Sequence, residues 1–435
     1  MRINVVKRAK KYLTPALGWD TELVVRRARG AEVETKTGRK YLDFSCGTAT
    51  TNIGHCHRKV VSAAKHQLNN LIHAGGVYYY DSIVKLCEEL KAITPGAIDM
   101  FFFSNAGAEA VEGAMKLAKS VTHRPAVFCF RGAFHGRTLG CVSITSSNVK
   151  YRKNYEPLLP SVYRAPFAYC YRCPYGQKRE TCSFECIQFI RDVFKHEIDP
   201  SQTAAVIFEP IQGEGGYIVP PVEFVKFLRD FTKEHGIMLI ADEVQTGFGR
   251  TGEWFACDHF GIEPDIIVMA KGIASGFPLS GFGASSKIMK QWTPGAHGTT
   301  FGGNPVSCAA AVATIRAIRE ERMLEHCREL SAEVFGRLRK IQNNHPLIGD
   351  VRGLGFMIGV ELIDSHGAPH PTATAKVMER CLENGLILIN CGTSGNVIRL
   401  IPPINISREQ LFRGLEIFEE AVQKVSQEEF ELAHA

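Results

Sequence analysis

Long apolar runs are absent from this 435-residue sequence. No run of about eighteen apolar residues occurs, so we expect no transmembrane helix. The basic opening at residues 1–8 is not followed by the apolar segment of a signal peptide, so we expect a cytoplasmic protein without a membrane partner. A repeat period and long low-complexity segments are lacking too, and what remains is an ordinary globular composition.

A strong charge of one sign is also missing. The net charge of +6 is modest for this length, and no stretch concentrates lysine and arginine into a basic stripe. We therefore expect no nucleic-acid partner. The composition, with 45% hydrophobic and 22% charged residues, is typical of a globular protein. The length allows two or three structural units.

Cysteine, by contrast, is plentiful, with fourteen residues. Most lie in apolar segments, where a free cysteine acts as a small hydrophobe. Four form a C-x2-C-x8-C-x3-C cluster: Cys170, Cys173, Cys182 and Cys186. Two close pairs suggest a zinc ribbon, but the central spacer is short for one. We interpret the cluster as reduced surface thiols and expect no metal; a structural metal and, in a thermophile, disulfides are the alternatives.

Short segments that are apolar on both faces predict buried parallel strands. They lie at residues 100–103, 126–130, 204–208, 237–241 and 265–270. Amphipathic helices are predicted between them, among others at 109–121 and 222–234. Alternating strands and helices predict an α/β fold with an open, mostly parallel sheet covered on both sides.

The pattern changes near residue 320. A charged helix and shorter strands follow, which predict a smaller α+β domain. The first sixty residues have strands of their own and are expected to join it. We therefore predict an N-terminal segment at 1–60, a large domain at 61–320 and a C-terminal domain at 321–435.

Two charged residues stand at the ends of apolar strands, Asp242 and Lys271. Either could simply cap a turn or reach solvent. That edge of an open α/β sheet is, however, where ligands bind. An aspartate there can pair with a protonated ring nitrogen, and a desolvated lysine can form an imine with a carbonyl group.

Two further segments also follow strands. Residues 103–110 form a small-residue turn before a helix, where backbone N–H groups could bind phosphate. Residues 133–138 bring together Phe134, His135 and Arg137. In a packed loop they would be structural; at a site, Phe134 could stack on a planar cofactor and Arg137 could bind a carboxylate.

Two acids follow the strand at 204–208. Glu209 and Glu214 lie in a glycine-rich segment that also contains Gly213, Gly215 and Gly216. In isolation they would be interpreted as capping or surface acids. The glycines predict that Glu214 can move.

Taken together, these segments resemble the class III aminotransferases, fold-type I enzymes that use pyridoxal 5'-phosphate (PLP), over nearly the whole chain. The resemblance implies a large PLP-binding domain with a mostly parallel, seven-stranded sheet, a smaller α+β domain from both chain ends, and a homodimer with shared active sites. It implies that Lys271 is the Schiff-base lysine and that Asp242 pairs with the pyridine nitrogen. Further implied cofactor contacts are Gly107 and Ala108 at the phosphate, Phe134, His135 and Val244 at the ring, Gln245 near the phenolic oxygen, and Thr300 from the neighbouring subunit. Position 134 departs from the tyrosine that many members carry.

The resemblance also implies a substrate class. Arg137 and Arg399 would bind carboxylates, with Glu209 and Glu214 beside the substrate. In the 4-aminobutyrate and ornithine branches, the acid matching Glu214 pairs with the arginine matching Arg399. We therefore predict amino transfer from an ω-amino donor to an oxo-acid acceptor such as 2-oxoglutarate. An amino-acid racemase or epimerase of the same family is the alternative; a non-catalytic binding protein would need neither Lys271 nor Asp242.

Overall fold

A computed structural model describes residues 2–434. Its strands are β1 (Val25–Arg29), β2 (Glu32–Thr35), β3 (Lys40–Asp43), β4 (Met100–Ser104), β5 (Ala126–Phe130), β6 (Val162–Ala165), β7 (Thr203–Phe208), β8 (Met238–Asp242), β9 (Ile266–Met269), β10 (Ser280–Ala284), β11 (Ile348–Leu354), β12 (Met357–Leu362), β13 (Leu386–Ile387), β14 (Ile389–Cys391) and β15 (Val397–Leu400). They form three sheets.

Fourteen α-helices complete the described chain. They are α1 (Arg2–Tyr12), α2 (Cys46–Ala49), α3 (Arg58–Leu68), α4 (Asp81–Lys91), α5 (Gly107–Thr122), α6 (Leu139–Ile144), α7 (Glu185–His196), α8 (Val222–Glu234), α9 (Cys257–Phe260), α10 (Ser286–Met289), α11 (Pro305–Glu320), α12 (Met323–Asn344), α13 (Pro371–Glu383) and α14 (Arg408–His434). Within residues 2–434, no helix combines the length and the apolar character needed to cross a membrane.

The largest sheet has seven strands in the order β4-β10-β9-β8-β7-β5-β6. Strands β6, β5, β7, β8 and β9 pair in parallel, whereas β10 is antiparallel to both of its neighbours, β4 and β9. The mostly parallel, seven-stranded sheet that the family resemblance implies is therefore confirmed. All of its strands except β10 end at one edge.

Helices cover both faces of this sheet because alternate strand residues point to opposite sides. On β5, Phe128 and Phe130 pack with α7 and α8, while Val127 and Cys129 pack with α5. All four side chains are buried. The alternate side chains of this continuous apolar strand thus pack into two hydrophobic cores, one on each face of the sheet.

Strand β10 is missing from the sequence-based prediction. Its sequence, Ser-Gly-Phe-Gly-Ala, lacks the apolar run that marks the other strands. A side chain at Gly281 would meet the Phe102 carbonyl oxygen at 2.6 Å, and one at Gly283 would meet the ring of Phe101 at 2.7 Å. Close approach to β4 explains these glycines.

The two smaller sheets have the orders β1-β2-β3-β13 and β11-β12-β15-β14. Parallel pairing of β3 with β13 brings the N-terminal and C-terminal parts of the chain together. A smaller domain built from both chain ends was expected and is confirmed. The two short strands β13 and β14, although separated by one residue, belong to different sheets.

A buried arginine joins the two domains. Arg250, fully buried in the loop after β8, donates hydrogen bonds to the Phe356 carbonyl at 3.2 Å and the Pro402 carbonyl at 2.6 Å. It also donates to Asn52 Oδ1 at 2.9 Å. The Asn52 amide in turn donates to the Phe248 carbonyl at 3.1 Å. The loop after β8 is thereby fixed to both parts of the smaller domain.

Candidate active site

A cavity of about 800 Å³ lies at the sheet edge where the parallel strands end. It is lined by all of the site residues predicted from the sequence except Thr300. They come from the ends of β4, β5, β7, β8 and β9 and, for Arg399, from β15 of the smaller domain. Residues spread over nearly three hundred positions are thus brought to one place by the sheet topology.

Asp242 is the last residue of β8 and is buried. Its Oδ2 accepts a hydrogen bond from His135 Nδ1 at 2.7 Å, and its Oδ1 accepts one from the Val244 N–H at 3.1 Å. Burial by itself lowers the pKa of His135, but the hydrogen bond and the charge of Asp242 outweigh it, so this pKa lies above its usual value. His135 therefore fixes the orientation of the aspartate.

Lys271 follows β9 at the start of a short 3₁₀ turn, Lys271–Ala274. Its φ of 39° is in the left-handed region, which non-glycine residues rarely adopt. Burial, followed by the charge of Arg399, lowers the pKa of the Lys271 amine to about 8. A sizeable fraction of the amine is therefore neutral, and able to act as a nucleophile or base, near neutral pH.

Glu209 immediately follows β7. Its two carboxylate oxygens accept hydrogen bonds from the backbone N–H groups of Phe134 and Gly213, both at 3.0 Å. Burial raises the pKa of Glu209 to about 7, although the nearby His135 opposes the shift. The side chain therefore links the Phe134 loop to the Glu214 loop, a contact that the sequence did not predict.

The first turn of α5 borders the cavity with Gly107 and Ala108. N–H groups in the first turn of a helix have no partner within the helix, so they can donate to an anion. A side chain at Gly107 would come within 3.2 Å of Val244 Cγ1. Glycine thus keeps the start of this helix close to Val244.

Aromatic rings form one wall. Phe134 and Tyr151 meet edge to face, with ring centres 5.2 Å apart. The guanidinium carbon of Arg137 lies 5.0 Å from the Tyr151 ring centre, within cation–π range. Elsewhere in the cavity, Gln245 Oε1 accepts a hydrogen bond from the Tyr217 hydroxyl at 2.6 Å.

Arg399 and Glu214 form an ion pair across the cavity. Arg399 Nη1 lies 3.3 Å from Glu214 Oε2, and Arg399 Nη2 donates to the Asn390 carbonyl at 2.6 Å. The second Glu214 oxygen accepts a hydrogen bond from the Tyr151 hydroxyl at 3.0 Å. A carboxylate of the protein thus covers an arginine that is itself 6% exposed.

The backbone of the Glu214 loop is anchored on both sides. The Glu214 carbonyl accepts a hydrogen bond from the Gly392 N–H at 3.0 Å, and the Gly216 carbonyl accepts one from Arg352 Nη2 at 2.6 Å. A side chain at Gly215 would meet the Gly132 carbonyl oxygen at 2.5 Å. The glycines therefore serve close packing of this loop. The movement of Glu214 stays a prediction, and these backbone contacts favour a movement of its side chain.

Thr300 and the cysteine cluster lie elsewhere. Thr300 lines a second cavity with His297 and Phe301, and this cavity shares only Asn105 with the first. The clustered cysteines are free, partly exposed thiols. No group of side chains able to hold a metal ion is found within residues 2–434.

Several residues that contact the predicted site were not predicted from the sequence. They are Tyr151 and Asn390 on the cavity wall and the buried Tyr217, which directly follows Gly216. Trp19 and Asp20, also on the cavity wall, precede the first strand. Only the folded chain brings these residues to the strand ends.

The cavity fits pyridoxal phosphate. It offers an amine with a lowered pKa, a buried carboxylate held by His135, and helix N–H groups for a phosphate. His135 Nε2 is buried without a hydrogen-bond partner. Such a volume accommodates a cofactor together with a small substrate.

Comparison with known proteins gives a consistent result. Residues 17–422 match the family Aminotransferase class-III. The chain is 40% identical to a probable 4-aminobutyrate aminotransferase of Bacillus subtilis, over 90% of this chain and 91% of that protein. It is 39% identical to an alanine/serine racemase of Pyrococcus horikoshii, over 96% and 90% of the two chains.

A solved structure agrees in fold. In one crystal structure, the ornithine aminotransferase of Toxoplasma gondii superposes with a TM-score of 0.87 at 27% identity, and the match covers 99% of this chain and 96% of that chain. In a second crystal structure of this enzyme, the match covers 98% of this chain and 96% of that chain. One of these structures is described as having partial occupancy of PLP at the active site. With the family match and the residues at the sheet edge, this chain belongs to the class-III aminotransferases, which are PLP-dependent enzymes.

Proposed function

We propose that this enzyme transfers the amino group of an ω-amino acid to 2-oxoglutarate or a similar oxo acid. The observation that carries the proposal is the pairing of Glu214 with Arg399. With Arg399 covered, the exposed Arg137 is left to bind the single carboxylate of an ω-amino donor. When Glu214 swings away, Arg399 can bind the second carboxylate of a dicarboxylic oxo acid.

Residues of the cavity then transfer protons and hold the cofactor. Bound PLP supplies an aldehyde and an electron-withdrawing ring. Lys271 removes the proton from the substrate carbon that carries the amino group and returns a proton as general acid. Asp242 keeps the ring nitrogen charged, Gly107 and Ala108 bind the phosphate through N–H groups, and Phe134 packs on the ring.

We also propose a homodimer in which Thr300 completes the phosphate site of the partner subunit. Large exposed apolar side chains of one segment and of Phe301 support it: Ile72, Val77, Tyr78, Tyr79 and Phe301. The ring of His73 in that segment lies 5.3 Å from the Phe301 ring, so we treat these residues as one apolar surface. Large apolar side chains grouped at a surface favour protein association. Thr300 is next to Phe301 in this surface and not in the cavity of Lys271.

A donor screen tests the function. The enzyme with PLP and 2-oxoglutarate should form glutamate in equal amount to the 4-aminobutyrate or ornithine consumed. The similarity to a racemase favours one alternative. A racemase would interconvert the enantiomers of an amino acid and leave 2-oxoglutarate unchanged, and that result would overturn the proposal.

Substitution of Glu214 tests the pairing. Glu214→Gln keeps the shape but removes the charge that covers Arg399. We expect the ratio of kcat/KM for 4-aminobutyrate to that for glutamate to fall by at least about tenfold, because charge-assisted contacts are worth about 1.5–3 kcal/mol. The exposed Glu180→Gln is the matched control. An unchanged ratio would refute the pairing, though not amino transfer itself.

A further inference from the structure

Tyr151 contacts residues around both Arg137 and Arg399. It ends the 3₁₀ turn Val149–Tyr151 on the cavity wall. Its hydroxyl donates to Glu214, its ring lies beneath the Arg137 guanidinium, and its edge meets Phe134. None of these contacts follows from a sequence motif.

We propose that Tyr151 is a positioning residue that sets substrate preference by holding Glu214 against Arg399 while it keeps Arg137 in place. The inference rests on the proposed function and adds a residue to it. Because the Glu214 backbone is anchored, side-chain torsions alone decide where its carboxylate lies. Two partners restrain that carboxylate, Arg399 and the Tyr151 hydroxyl.

The ion pair alone is a weak restraint. Its 3.3 Å separation exceeds the 2.7–2.9 Å of a short charge-assisted hydrogen bond. The Tyr151 hydroxyl lies 3.0 Å from the carboxylate, which also exceeds the 2.5–2.7 Å of a short O–H···O⁻ bond, so the carboxylate is held by the two contacts together. Burial, with a further contribution from Glu214, raises the pKa of Tyr151 to about 12, so the hydroxyl remains a donor throughout the neutral range.

The two parts of Tyr151 have separable effects. Loss of the hydroxyl in Tyr151→Phe frees Glu214 and uncovers Arg399, but leaves a ring beneath Arg137. Loss of the ring in Tyr151→Leu also removes the support of Arg137. The first change should favour ligands with two carboxylates, and the second should in addition weaken ligands with one.

Binding of unreactive acids to the PLP-loaded enzyme gives a direct test. Butyrate has one carboxylate and glutarate has two. By calorimetry, Tyr151→Phe should tighten glutarate relative to butyrate by roughly tenfold, the lower end of what one hydrogen bond to a charged group contributes. The kcat/KM ratio should shift towards glutamate by a similar factor. Tyr155→Phe, an exposed tyrosine on the same segment, should change neither ratio.

A double substitution separates positioning from a general structural effect. In a Glu214→Ala background, Tyr151→Phe should have no further effect on the glutarate-to-butyrate ratio, because its partner is gone. An equal effect with and without Glu214 would overturn the proposal, as would a ratio in Tyr151→Phe that is unchanged or moves towards butyrate.

The proposed function and the role of Tyr151 would be contradicted by different results. If the wild-type enzyme forms no glutamate from any ω-amino donor, the proposed function falls, and the binding ratios still test Tyr151. If the wild type transfers the amino group but the Tyr151 variants keep its ratios, the role of Tyr151 falls alone.

Discussion

At the scale of single residues, the surroundings of Lys271 change the pKa of its amine. An ordinary lysine with a pKa of about 10.4 is roughly one-thousandth neutral at pH 7.5. Burial, together with Arg399, lowers the pKa of Lys271 to about 8, so roughly a quarter of the amine is neutral at that pH. The charge of Arg399, which we propose binds substrate, thus also contributes to the lowered pKa of Lys271.

We therefore expect a characteristic pH dependence. The rate at which the apoenzyme takes up PLP covalently should rise with pH, because only the neutral amine reacts, and should be half-maximal near pH 8. Stopped-flow absorbance would measure it. Arg399→Met should move the midpoint to higher pH, since a cation that lowers the pKa is removed. Lys271→Ala should abolish both covalent uptake and turnover; a midpoint near pH 10 in the wild type would contradict the assignment.

Sequence reasoning located the residues that end strands. Asp242 and Lys271 could be predicted because a charged residue after an apolar run is visible in one dimension. Tyr151 could not, since its relation to Glu214 depends on two loops that meet only in the folded chain. The role of Glu209 as a link between loops was missed for the same reason.

At the scale of elements, the loop after β7 is held by several backbone contacts. An isolated bridge between Gln212 and Ile218 closes it, and its glycines allow another backbone to approach. Composition alone shows glycine and cannot distinguish a mobile loop from a tightly packed one. For the same reason, β10 was not predicted as a strand. Its glycines lie against phenylalanine rings of β4.

Two glycine substitutions should have opposite effects. Gly215→Ala would place a methyl group 2.5 Å from the Gly132 carbonyl oxygen and should destabilise the protein by about 1–3 kcal/mol. Gly336→Ala lies within α12 with nothing within 4 Å and should stabilise it by about 0.5–1 kcal/mol. Thermal unfolding of the two variants would show the contrast. Equal changes would contradict the packing account of the loop.

At the scale of the whole molecule, the proposed dimer predicts complementation between inactive subunits. A site would use Lys271 from one subunit and Thr300 from its partner. A mixture of Lys271→Ala and Thr300→Ala enzymes should, after subunit exchange, contain mixed dimers with one intact site each. Activity at limiting PLP should then exceed that of either variant alone.

The same measurement can exclude shared sites. If Thr300 served its own subunit, a mixed dimer would have one site without Lys271 and one without Thr300, and no activity would be regained. Each enzyme incubated alone under the exchange conditions is the control. Tyr79→Asp, in the apolar surface, should prevent exchange by separating the subunits.

The position of Arg250 has a consequence for how the chain comes apart. Unfolding of the smaller domain alone would break the hydrogen bonds that Arg250 donates to the Phe356 and Pro402 carbonyls. Each hydrogen bond to a charged group contributes about 1.5–3 kcal/mol. Partial unfolding is therefore penalised, and the two domains should melt together in a single calorimetric transition. For the same reason, a gene fragment that encodes the large domain alone should yield little folded protein.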